Sequence, residues 1–187
     1  MAPSSDAQLL KAARQWDMEA LGQIYDIYSP LLYRYAMRLL GDQDLAEECV
    51  AETFARFLQA LRNGGGPKEH LKAYLYRVAH NWVTDYYRRQ PPPQTDIDAL
   101  GEVLSDDAAS LGSQMVAREE QERMRAALRL LTPDQRQVIV LRFLEEWSLK
   151  EVADALDKPV GAVKALQHRA LAALRRILEK EDVGEQR

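Results

Sequence analysis

Cysteine is nearly missing from this sequence: Cys49 is the single one in 187 residues. An internal disulfide is therefore excluded, and so is a cysteine-rich zinc site. Long apolar runs are missing too, since none approaches the roughly 18 residues that span a bilayer. The N-terminus, MAPSSDAQLLKAARQWD, lacks the basic start and apolar core of a signal peptide. A cytoplasmic protein without direct membrane insertion is expected. Histidines are few: His70, His80 and His168. None has a serine in a nucleophile-elbow context, and none has a partner at metal-ligand spacing. No catalytic residue, metal site or cofactor is expected, and the histidines read as surface or helix-face residues. Cys49, in an acidic stretch, reads as an inert small side chain.

An excess of positive charge is also lacking. The net charge of -4 argues against a protein that coats nucleic acid indiscriminately. The total hides segregation, however. Asp42, Asp44, Glu47, Glu48 and Glu52 make one stretch acidic; Lys72, Arg77, Arg88 and Arg89 against Asp85 make the next basic; and residues 91–120 are acidic again. Different segments are thus suited to different partners.

What is present is helical periodicity. Leu9, Leu10 and Ala13 start a first piece, and Asp17 can cap a second carrying Ala20, Leu21, Ile24, Tyr25 and Tyr28. Pro30 predicts a break or a fresh start. Leu31 to Leu39 continue the stripe to Gly41, a C-terminal stop. Asp42 can cap a third helix, 43–61, and a fourth is predicted over 68–89. Between them Asn63-Gly64-Gly65-Gly66-Pro67 is a loop, either a place of close backbone approach to a ligand or a flexible connector. The fourth helix ends in interleaved aromatics and arginines, Trp82 to Arg89. That mixture suits single-stranded nucleic acid, with Tyr86 equally readable as core.

Pro91-Pro92-Pro93 ends that helix, and the following Asp, Ser and Ala-rich stretch has no periodicity. The expected fold is all-α: an N-terminal helical bundle (1–92), a flexible acidic linker (93–112) and a C-terminal helix-turn-helix domain (113–187). In the latter, Met115, Val116, Met124, Ala127, Leu128 and Leu131 are the expected buried positions of its first helix. Thr132-Pro133-Asp134-Gln135 and Ser148 with Glu151 form capping boxes. Leu149, Val152, Ala153 and Leu156 mark a short supporting helix, Asp157-Lys158 a turn, and Val160, Val163, Ala170, Leu174 and Ile177 the inner side of a long second helix. That second helix carries Lys164, His168, Arg169, Arg175 and Arg176 and no acid between Val160 and Arg176. It has the profile of a DNA reader lying in the major groove.

Three stretches, DLAEECVAETFARFLQAL, HLKAYLYRVAHNWVTDYYRRQ and LTPDQRQVIVLRFLEEWSLKEVADALDKPVGAVKALQHRALAALRRIL, resemble bacterial sigma-70 family RNA polymerase sigma factors of the extracytoplasmic function (ECF) group. The resemblance implies a factor that binds core RNA polymerase, through its β′ and β subunits, and directs it to promoter DNA, with an anti-sigma factor as a further partner. It implies core-polymerase contacts at Glu47, Glu48, Glu52 and Phe54, with Ala51 replacing a frequent Gln. Minus 10 contacts fall on Asn81, Trp82, Asp85, Arg88 and Arg89, beside a base pocket near residues 63–68. Minus 35 contacts fall on Lys164, Ala165, His168 and Arg169. Ala165 and Leu166 stand where relatives carry a Ser-Arg pair, which implies a lost base or phosphate contact; Asp157 stands where a turn Gly is usual. The alternative is a stand-alone helix-turn-helix repressor or activator, which would bind operator DNA without polymerase.

Overall fold

The computed structural model describes residues 5–91 and 111–184, and among them every regular element is helical. Residues 93–110 of the expected linker lie outside the described residues. The N-terminal half holds α1 (Asp6–Ala13), α2 (Met18–Leu40), α3 (Gln43–Arg62) and α4 (Leu71–Arg89); the C-terminal half holds α5 (Leu111–Leu130), α6 (Pro133–Ile139), a π-helical turn (Val140–Leu144), α7 (Leu149–Leu156) and α8 (Val160–Gly184).

Local chemistry sets the helix ends. Ser5, Asp17, Asp42, Thr132 and Ser148 each accept a bond from a first-turn amide, and Ser5, Thr132 and Ser148 complete capping boxes with Gln8, Gln135 and Glu151. Gly41, at φ 68°, closes α2 with its amide on the Met37 carbonyl. Asp157 turns the chain between α7 and α8 at φ 54°, a left-handed conformation that Asp adopts more readily than most residues.

Four expectations are corrected. First, Pro30 does not break the chain: α2 runs through it. Ile24 and Tyr28 before it, and Leu32, Tyr35 and Ala36 after it, are buried on one continuous stripe, while Pro30 and Asp26, whose carbonyl the proline leaves without a donor, are exposed. Packing on both sides holds the helix together, and the exposed carbonyl is open to solvent. Second, α4 starts at Leu71, not at residue 68, after His70 at φ 54°. Third, α5 begins at Leu111, and Met115, Val116 and Met124 are exposed; among the described side chains of this helix, the buried ones are Ala127 and Leu128, in its last turns. Fourth, Val160 is exposed, whereas Val163 and Ala170 are fully buried.

The two halves pack together, with α4 against α7 and α2 against α5. Their buried side chains form one continuous cluster that includes Tyr35, Tyr76, Leu141 and Trp147.

Candidate nucleic-acid and protein interfaces

The helix-turn-helix is built from α7 and α8. Burial of Val163, Leu166 and Ala170 fixes the rotation of α8, so Lys164, Ala165, His168 and Arg169 share one exposed side. Around the turn, Lys158 Nζ lies 3.1 Å from the Asp134 carboxylate, and Arg142 donates to Gln167 Oε1 at 3.2 Å and to the Trp147 carbonyl. Leu166 is 9% exposed and belongs to the core. Of that pair only Ala165 faces outward.

On α4, Asn81, Arg88 and Arg89 are exposed, Trp82 and Asp85 are half-buried, and Arg88 pairs with Asp85. Trp82 stacks on Tyr86, with ring centroids 5.8 Å apart and planes 7° from parallel, so Tyr86 is a half-exposed stacking partner and not core. Tyr87 turns inward: its hydroxyl donates to the Leu39 carbonyl at 2.5 Å, and burial pushes its pKa up to about 12 against the pull of Arg136, Arg129 and Arg125.

The glycine loop is pinned. Arg14 Nη1 donates to the Gly65 carbonyl at 2.9 Å and to the Pro67 carbonyl at 3.0 Å. Gly66 has φ 77°, and a Cβ there would meet Leu61 Cδ2 at 3.2 Å. Of the two sequence readings, a floppy connector does not describe this geometry. Arg14 was not singled out, because its partners are main-chain carbonyls 51 and 53 residues away.

The acidic face of α3 presents Glu47 and Glu48 to solvent, with Glu52 half-buried and 2.7 Å from Arg56. Phe54 is 8% exposed, packed beneath Tyr25 at a centroid distance of 4.8 Å. It underlies this face. The apolar groups that reach the surface beside it are Tyr25, 50% exposed, and Leu58. Helical spacing placed Tyr25 with the buried stripe, but the stripe runs through Ala20, Ile24 and Tyr28, and Tyr25 lies on its flank with its ring against Phe54.

Between the halves the contacts are polar as well as apolar. Arg77 Nε donates to the Ala155 carbonyl at 2.7 Å and its Nη2 to the Asp154 carbonyl at 2.6 Å. Lys72 Nζ lies 3.3 Å from Glu151 and 4.1 Å from the Trp147 ring centroid, and that ring meets Tyr76 edge-on at 4.7 Å. Arg38 pairs with Glu145 at 2.6 Å. His80 corrects the surface assignment: it is 2% exposed, with Nδ1 2.7 Å from the Tyr35 hydroxyl and Nε2 2.9 Å from the Pro133 carbonyl. Burial, followed by the nearby Arg136 charge, brings its pKa down to about 3, so the imidazole is neutral. Burial also pushes the Cys49 thiol up to about 12, a larger cause than its acidic neighbour Glu48. Among the described residues no group of three or more His, Cys, Asp or Glu is placed to hold a metal, and no helix is long and apolar enough to cross a membrane.

Comparison with known proteins covers both halves. The family described as "Sigma-70 region 2" matches residues 24–91, and "Sigma-70, region 4" matches residues 127–176. The "ECF RNA polymerase sigma factor SigW" of Bacillus subtilis is 31% identical over 180 residues, covering 90% of this chain and 94% of that protein. The "ECF RNA polymerase sigma factor BldN" of Streptomyces coelicolor is 31% identical over 176 residues, covering 91% of this chain; the chain spans 65% of BldN's length. Among solved structures, that of CnrH in complex with the cytosolic domain of CnrY matches with a TM-score of 0.68 at 25% identity, over 95% of this chain and 99% of the other. The fold is also that of the sigma factor RpoE of Bartonella quintana, solved with the anti-sigma factor NepR, at a TM-score of 0.54 and 24% identity over 84% of this chain and 96% of that one.

Proposed function

The chain belongs to the sigma-70 family, in its ECF group, and from that premise we propose that it binds bacterial core RNA polymerase and directs promoter-specific initiation. The observation that carries this reading is the presence of both family regions in order on one chain, each ending in an exposed, DNA-suited helix face. Its part is recognition, and the chemistry of transcription is the polymerase's. It works in the cytoplasm, where polymerase and promoter meet.

In this proposal residues 1–92 form the polymerase and minus 10 module and residues 113–187 the minus 35 module. Lys164, Ala165, His168 and Arg169 meet the major groove of the minus 35 element, where guanidinium and ammonium groups read guanine edges or hold phosphates. Asn81, Trp82, Asp85, Arg88 and Arg89 meet the minus 10 strand as it opens. Arginines follow its phosphates, and the Trp82–Tyr86 stack offers an aromatic face to an unpaired base. The loop held by Arg14 lies where a flipped base is captured. Glu47, Glu48 and Glu52, with Tyr25 and Leu58 beside them and Phe54 beneath, dock on the polymerase β′ subunit. Charge complementarity there speeds and orients encounter more than it adds affinity. An anti-sigma factor controls the protein, as NepR is complexed with the RpoE relative.

Run-off transcription with bacterial core polymerase across a promoter library tests the reading, and no stimulation on any promoter sinks it. A gel shift with and without core separates it from a stand-alone repressor, which binds operator DNA equally well without polymerase.

A further inference from the structure

The glycine loop between α3 and α4 has little of its own to hold it in shape. Residues 64–67 are three glycines and a proline, so no side chain among them carries a polar group. Gly64 and Gly66 sit at φ 73° and 77°, in the left-handed region, and glycine gives up more conformational freedom on ordering than any other residue. Two backbone bonds, from the Gly64 amide to the Leu61 carbonyl and from the Gly65 amide to the Ala60 carbonyl, finish α3 and reach no further. Beyond them the loop is held from outside.

One nitrogen provides that hold. Arg14 Nη1 donates to the Gly65 carbonyl and to the Pro67 carbonyl, 51 and 53 residues further along the chain. Among the described residues no other element sends a hydrogen bond to residues 63–68. Arg14 is itself anchored: its amide bonds to the Leu10 carbonyl at the end of α1, a helix fixed by the burial of Leu9, Leu10 and Ala13. A charged donor makes each bond to the loop stronger than a neutral one.

The shape of the loop in turn sets the spacing of side chains. Asn63 and Lys68, both exposed, stand at the two ends of the glycine run and carry its polar groups. Gly66 and Pro67 wall a cleft of about 690 Å³ together with Tyr74, room enough for a nucleobase. A flipped base is read through its own donors and acceptors, and a site rejects the wrong ones only while its polar groups stay in place. A run of three free glycines refits itself to each base at little cost.

Resting on the sigma-factor reading above, in which this loop captures the flipped base, we infer that Arg14 is a positioning residue for base selection at minus 10. It touches the loop and not the base. By fixing the Gly65 and Pro67 carbonyls it keeps Asn63 and Lys68 in one arrangement, and so determines how strictly the captured base is chosen.

The test uses the full chain in holoenzyme with bacterial core polymerase. Pre-melted promoters carrying each of the four bases in turn at each unpaired minus 10 position give the ratio of affinities for the best and the worst base. Arg14→Met, which keeps an unbranched side chain and loses the donors, lowers that ratio about tenfold at one position, chiefly by weakening the best base. Arg14→Lys, whose ammonium can serve both carbonyls, retains most of it. Gly65→Ala added to Arg14→Met restores part: Gly65 lies outside the left-handed region and its Cβ would meet the Ala60 carbonyl at an ordinary 3.4 Å, so the alanine stiffens the loop in place. Gly66→Ala leaves Arg14 intact but presses on Leu61 from a φ of 77°, and lowers the ratio as Arg14→Met does. An unchanged ratio in Arg14→Met, or an equal loss on all four bases, overturns the inference, because a clamp needed only for folding and a phosphate contact each act on every base alike. A double variant no more selective than Arg14→Met also overturns it. Where Arg14→Met fails to fold, Gly66→Ala carries the test, and an unaltered ratio there counts equally against the inference. Failure of the unaltered protein to drive transcription on any promoter instead removes the sigma-factor reading, and the inference with it.

Discussion

The Arg136 guanidinium lies over the ring of Tyr87, 4.7 Å from its centroid, and the two residues come from opposite halves of the chain. Arg136 is 2% exposed, its Nη2 donates to Thr84 Oγ1 at 3.1 Å, and its Nε is buried without a hydrogen-bond partner. No carboxylate among the described residues pairs with it. A buried cation is thus held between the halves by an aromatic face and a hydroxyl, which is a costly arrangement unless the ring stays in place.

Tyr87→Phe keeps that face and loses only the bond to the Leu39 carbonyl, at a cost of about 1 kcal/mol. Tyr87→Leu removes the face as well and costs at least about 1 kcal/mol more. Urea denaturation of the two variants measures the difference; equal midpoints would show that the ring contributes nothing to holding Arg136.

Stability depends on pH through His80. Its folded pKa, about 3, lies below the ordinary 6.5, so between those values the unfolded chain binds the extra proton. The contribution is fully present above pH 6.5 and is lost as pH falls toward 3, at up to about 1.4 kcal/mol per pH unit. From pH 7 to pH 5 the unaltered protein loses roughly 2 kcal/mol from this group. His80→Gln, which retains a donor and an acceptor, flattens the denaturant midpoints over that range, and an unchanged pH profile in the variant assigns the dependence elsewhere.

Ala165 and Leu166 are neighbours in sequence with opposite surroundings. Ala165→Ser, on the exposed side, leaves stability within about 0.5 kcal/mol and alters the ranking of minus 35 sequences. Leu166→Arg forces a charge toward Val163 and Ala170 and costs roughly 1–3 kcal/mol. Thermal melts combined with a promoter-library readout distinguish the two, and a neutral Leu166→Arg contradicts the burial of that side chain.

At the turn of the helix-turn-helix, Asp157→Gly removes a Cβ from a left-handed residue and is neutral or mildly stabilising. Asp157→Val costs about 1–2 kcal/mol, because branching at Cβ is poorly compatible with positive φ. Melting temperatures ordered Gly, Asp, Val from high to low are expected, and a stable Val variant argues against the observed backbone.

Much of the fold was legible in the sequence where the cause is local. The caps at Asp17, Asp42, Thr132 and Ser148, the stop at Gly41 and the turn at Asp157 depend on a side chain and amides within a few residues, so the residue type announces them. The outward placement of Lys164, Ala165, His168 and Arg169 follows from the 3.6-residue period alone. Where a neighbouring element decides, periodicity misled. Pro30 stays helical because both flanks are buried, Tyr25 lies on the flank of the stripe that the core covers, and Met115 is exposed although its spacing suggests core. The packing of the halves left no trace, because Arg77 and His80 bind main-chain carbonyls of the other half, which carry no residue signature, and the same holds for Arg14 on the glycine loop.

The lone cysteine turns into a kinetic reporter. Cys49 is fully enclosed, its thiol facing the Ala79 carbonyl of α4, and it is the single thiol in the chain. An alkylating reagent therefore consumes one group at one rate, set by how often α3 and α4 part. The labelling clock thus registers opening of the α3–α4 seam inside the N-terminal bundle.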